Sequence, residues 1–99
     1  MAGMTLDEFK QLSDAADVAE LSLPLQALWA DAHGNWDEAH NLCQRARTRD
    51  GDWVHAYLHR KEGDAGNAWY WYDQAGQTQP ADGVSLDAEW EQIATALLG

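Results

Sequence analysis

Residues 27–46, ALWADAHGNWDEAHNLCQRA, and residues 56–75, AYLHRKEGDAGNAWYWYDQA, lie over one another without a gap. Ala27 meets Ala56, Gly34 meets Gly63, Ala39 meets Ala68 and Ala46 meets Ala75, each at an offset of 29 residues. The coinciding residues are the small ones, and that has a physical reason. Two antiparallel helices approach closely only where side chains are short, and a glycine lets the chain reverse through a left-handed backbone. Each unit therefore reads as a helix, a Gly-Asn or Gly-Asp turn, and a second helix. That is the build of a stacked helical repeat.

Helix signals continue on both sides. Thr5 with Glu8 makes a capping box followed by Leu6, Phe9 and Leu12 on one face, which predicts a first helix ending near Ala16. Pro24 suits the first turn of a second helix that stops at Gly34, and Asn35 or Trp36 opens a third. Asp50-Gly51-Asp52 reads as a break, with Asp52 capping a fourth helix that halts at Gly63. Asp64 caps a fifth, closed by Gly76, and GQTQPADG at 76–83 reads as a loop. Ser85 caps a last helix with an apolar stripe of Leu86, Trp90, Ile93 and Leu97. The expected architecture is all-α, one domain over 1–99 with about six helices. Hairpins at about 23–46 and 52–76 are capped by helices at about 5–16 and 85–98.

The small residue, the Gly seven positions on, the Ala five after that and the Ala seven later together resemble a tetratricopeptide repeat (TPR). The G-N/D-x-x-x-A turn occurs twice, at 34–39 and 63–68. Tyr72 falls where the family has an aromatic, and Pro80 where it has a closing proline. The chain departs from the family in its period of 29, against about 34. Leu23 and Asp52 stand where a large aromatic is expected early in each first helix. Gln26, Ala30, His55 and His59 hold apolar positions further along. The resemblance covers about residues 23–80 and implies a TPR-like stack with a concave peptide-binding face. More narrowly, WVHAYLHRKEGD followed by NAWYWYDQAG is similar to a group of small bacterial proteins, which implies a bacterial cytoplasmic setting and lends no activity.

Composition narrows the function classes. Seventeen acids against six bases leave a net charge of −11, which repels phosphate backbones and anionic lipid, so nucleic-acid and membrane partners are disfavoured. A 45% hydrophobic share with six Trp marks a folded chain. Cys43 is alone, so no intrachain disulfide forms and an oxidising compartment gains no support. The start MAGMTLDEF lacks a secretory profile and no apolar run approaches a membrane span, so a cytoplasmic protein is expected.

Two candidate sites follow. On the concave face the resemblance implies, lined by Leu28 and Asp31 of the first unit, Trp53 and Tyr57 offer rigid contact area and Arg60 and Lys61 offer cations for a carboxylate. An acidic or C-terminal peptide would dock there, and because two repeats make a shallow groove, a homodimer would enlarge it. The second site turns on the fourth helix, where His55, His59 and Glu62 share one side. His40 and Cys43 of the preceding helix point toward the same junction, so His40, His55 and His59 are expected to converge with Glu62 and Tyr72 nearby. Such a cluster is a hydrogen-bonded structural network, a His-x3-His metal pair completed by His40 or Glu62, or a ligand or general-base site. A phosphate-cradling glycine loop, an HExxH helix and a nucleophile elbow are all missing from the sequence. The leading expectation is therefore a small protein- or peptide-interaction module without cofactor and without catalysis. The alternative is a small-molecule or metal-binding protein, the ion a divalent metal such as zinc, that uses the His cluster and is open to a catalytic role. The run AWYWY at 68–72 places aromatics all round one helix, so either the end helices cover them or they mark a contact surface.

Overall fold

The computed structural model describes residues 4–99. It is all-helical, with seven helices and no strand among the described residues: α1 Leu6–Gln11, α2 Ala15–Ala19, α3 Leu23–Ala32, α4 Trp36–Ala46, α5 Arg49–Glu62, α6 Ala65–Ala75 and α7 Leu86–Leu98. Among the described residues, no helix is long and apolar enough to cross a membrane.

The two glycine turns are built alike. Gly34 and Gly63 both take left-handed backbone, at φ +80° and +91°, which an L side chain resists. Behind each, the next amide reaches back to close the helix end, Asn35 N to Ala30 O and Asp64 N to His59 O, both at 2.9 Å. Asn35 and Asp64 then cap the following helices, accepting from the amides of Glu38 and Asn67 at 3.2 Å. Every partner in one turn has its counterpart 29 residues on. The hairpins α3–α4 and α5–α6 pack along their lengths, and α4 meets α5 between them. Ala39 and Ala68, the paired small residues, are both buried at those contacts.

Helix α7 does more than cap an end. It lies against α1, α3 and α5, so it covers the first helices of both hairpins. Its Trp90 indole donates to the Leu28 carbonyl at 3.0 Å and stacks on Phe9 at 5.7 Å between centroids. Phe9, Leu28, Val54, Leu58 and Ile93 form the sealed centre of this core. Ser85 caps α7 as expected, and the Thr5–Glu8 capping box is fully formed at α1.

Three expectations need correction. The first helix does not run to Ala16; it stops at Gln11, and Asp14 caps the separate helix α2 by accepting from Ala16 N at 2.8 Å. Leu12 is extended there, and its carbonyl accepts from the Trp29 indole at 2.9 Å, a bond that a continuous helix would forbid. Asp50-Gly51-Asp52 is not a break, nor is Asp52 a cap. Thr48 caps α5 by accepting from Gly51 N at 3.0 Å, so the three residues form its first turn. Gly51 sits there because α4 presses on it: a Cβ at that position would lie 2.8 Å from the Ala46 Cβ.

Candidate metal centre

The i, i+4 spacing on α5 puts His55 and His59 on one side, and α4 brings His40 against them. The three rings stand 4.6, 4.8 and 5.3 Å apart between centroids. One ligand nitrogen from each lies within 4.8 Å of the others, with His55 and His59 buried and His40 half-buried. The expected convergence is therefore present.

Hydrogen bonds restrict the protons on these rings. His55 Nε2 and His40 Nε2 face each other at 3.0 Å, so one carries the proton and the other accepts it. Protonating both would drive two N–H groups together. His59 Nδ1 lies 2.5 Å from a Glu62 carboxylate oxygen, which holds the proton on that nitrogen and leaves the Nε2 lone pair to accept a hydrogen bond or bind a metal. Burial, reinforced by the neighbouring His40 and His59, holds His55 down to about 4. His40 is also lowered, first by burial and then by His59. Neutral imidazole is the metal-binding form and both rings are held neutral near neutral pH, but for both Nε2 atoms to ligate, the proton between them must move to the Nδ1 of its ring.

Two tryptophans wall the cluster. Trp36 stacks on His40 at 5.0 Å and 9°, and its indole donates to the Leu58 carbonyl at 3.0 Å. Trp71 stacks on His55 at 4.1 Å and 17°. Neither was expected from the sequence. Trp36 carries a local signal, since it precedes His40 by one helical turn. Trp71 carries none, because its approach to His55 depends on how α6 lies on α5.

Tyr72 is not part of the cluster. Successive helix residues point about 100° apart, so with Trp71 turned to His55, Tyr72 turns elsewhere. Its hydroxyl donates to Glu89 of α7. The expected peptide-binding residues likewise have partners within the protein, although Lys61 stays exposed and Trp53 and Arg60 half-buried. Tyr57 is only 2% exposed, and its hydroxyl donates to Asp31 at 3.1 Å. Lys61 donates to the other oxygen of Asp31 at 2.9 Å, and Arg60 binds Glu89 at 2.8 Å and the Val84 carbonyl. Trp53 is half-buried against the core. Helix α7 lies across part of the expected groove face and leaves a cavity of about 510 Å³ bordered by Asp31, Tyr57, Lys61 and Trp90. The cations of this face pair with two carboxylates, Asp31 and Glu89, that are 4% and 2% exposed. Sequence reading placed Asp31 on this face but missed Glu89, although Glu89 precedes Ile93 at core spacing.

Cys43, three residues beyond His40, is turned into the apolar core with Val54 and Leu58, and burial pushes its thiol up. The exposed aromatics are Trp69 at 57% and Tyr70 at 55%, neighbours on α6.

A tetrahedral ion bonded at about 2.0–2.1 Å holds two nitrogens about 3.3–3.4 Å apart. The His40–His55 separation of 3.0 Å is close to that spacing, and an ion there would displace the proton they share and draw in the third ring from within 4.8 Å. Comparison with protein-family models, curated proteins and solved structures finds no match for this chain.

Proposed function

We propose that this protein binds a divalent transition-metal ion, with zinc the best fit, through His40, His55 and His59 at the junction of its two hairpins. The observation that carries the reading is the buried convergence of one nitrogen from each ring within 4.8 Å. Three further features support it. His59 has the carboxylate partner that orients a metal-binding imidazole. Trp36 and Trp71 hold the other two rings from outside. A net charge of −11 raises the local concentration of cations. All-imidazole donors suit zinc, copper or nickel rather than calcium or magnesium. The test is zinc content after gel filtration, paired with melting curves in zinc and in EDTA. We expect close to one zinc per chain and a melting point raised by about 4–8 °C for each kcal/mol of binding, with both lost in His59→Ala. No retained zinc and superimposable melts would overturn the reading.

A second reading is the interaction module that a TPR-like stack would provide in a bacterial cytoplasm, for a protein, an acidic peptide or a second copy of the chain. The matched turn hydrogen bonds of the two hairpins support it, as do the adjacent exposed Trp69 and Tyr70. In this reading the contact surface moves to α6, because Tyr57, Arg60 and Lys61 are already engaged. Substituting Trp69 and Tyr70 with serine, while following sedimentation for self-association, tests it.

A further inference from the structure

The position of Glu62 says what completes the coordination. The two nitrogens of an imidazole point away from opposite sides of the ring. A carboxylate bonded at Nδ1 therefore lies on the far side from an ion bound at Nε2. Glu62 sits at Nδ1 of His59, three residues on along the same helix. To ligate an ion among the three rings it would have to leave that bond and release the tautomer it enforces. Cys43 is no substitute, since its sulfur belongs to the apolar core. Among the described residues, the one possible ligand group containing His40 and His55 consists of the three histidines. The protein thus supplies three nitrogen donors where zinc takes four ligands.

The missing ligand has a route in. His55 and His59 are buried, but His40 is half-exposed and Glu62 is exposed, so the cluster meets solvent along that one edge.

Building on the metal reading above, we propose that Glu62 is a positioning residue and not a ligand, and that the bound ion keeps its fourth position for water or a small monodentate anion. Three nitrogens with an exchangeable fourth ligand are the coordination of catalytic zinc, in which bound water is acidified to near neutrality. A closed structural site would have no such vacancy.

Cobalt(II) in place of zinc makes the coordination visible through its absorption bands. Three titrations decide the matter: wild type with cobalt, wild type cobalt protein with azide, and Glu62→Gln through the same series. We expect the wild-type bands to shift on azide addition. Glu62→Gln should bind cobalt about 10- to 100-fold more weakly, still respond to azide, and melt as the wild-type apoprotein does. Wild-type bands that azide leaves unmoved, with a response appearing only in Glu62→Gln, would mean that Glu62 itself occupies the fourth position and would overturn the proposal. So would an unchanged cobalt affinity in Glu62→Gln. A wild-type protein that develops no bands at all would remove the metal reading itself, which is a separate result from bands that ignore azide.

Discussion

Trp71 of α6 lies flat on His55 of α5, with ring centroids 4.1 Å apart and planes 17° from parallel. This stack joins the exposed aromatic side of the second hairpin to the imidazoles at its junction with the first. Tyr70 meets Trp71 edge-on at 5.0 Å, so the contact continues outward to the surface. Removing the indole takes away half-buried apolar area and uncovers His55. Trp71→Ala should cost about 2–3 kcal/mol in urea denaturation, while Trp71→Phe, which keeps a flat ring over the imidazole, should cost under about 1.5 kcal/mol. Equal losses in the two variants would show that the stack has no specific role.

The apoprotein should lose stability in mild acid. His55 is held down from the ordinary 6.5 to about 4 by burial first and by its two neighbouring imidazoles second. Below pH 6.5 the unfolded chain takes up a proton at this ring that the folded chain refuses. The contribution is therefore complete above pH 6.5 and is lost as pH falls through about 4, to a total of at most about 3 kcal/mol. His40, lowered for the same reason, acts in the same direction. Denaturation midpoints between pH 7 and 4 should fall more steeply for wild type than for His55→Gln. Parallel curves would place the acid sensitivity in the carboxylates instead.

Much of what a single helix settles was legible in the sequence, although the Asp14 and Thr48 caps were misread. The Thr5–Glu8 box, the paired Gly34 and Gly63 turns and the Ser85 cap are local hydrogen-bond chemistry, and each stands where the residues put it. The histidine convergence was legible for a related reason. The i, i+4 pair needs one helix, and His40 needs only the register of two adjacent hairpins. What escaped depends on contacts between elements distant in sequence. Charge alone suggests that Arg60 and Lys61 face solvent, but α7 and α3 bring Glu89 and Asp31 to them from 29 and 30 residues away. Nothing near Tyr57 predicts that its hydroxyl will be sealed against Asp31. How far α7 would close over the groove face was hidden for the same reason. A last helix with an apolar stripe can cap an end or lie across the face, and its own sequence does not choose.

The close approach of α4 and α5 makes the sharpest test of the fold. Alanine is a better helix former than glycine by about 1 kcal/mol, so Gly51→Ala inside α5 should stabilise an isolated helix. In the folded protein the added methyl would meet the Ala46 Cβ at 2.8 Å and the Cys43 carbonyl at 3.2 Å, both fixed by α4. The methyl cannot rotate away, so the helices must part at the end nearest the Arg47–Thr48 connection. Overpacking of this kind costs about 1–3 kcal/mol and outweighs the propensity gain. Gly51→Ala should therefore lower the denaturation midpoint. Adding Ala46→Gly removes the nearer clash, and the pair should recover part of the loss despite placing a glycine in α4. A single Gly51→Ala variant as stable as wild type would mean that α4 and α5 do not meet at this spacing.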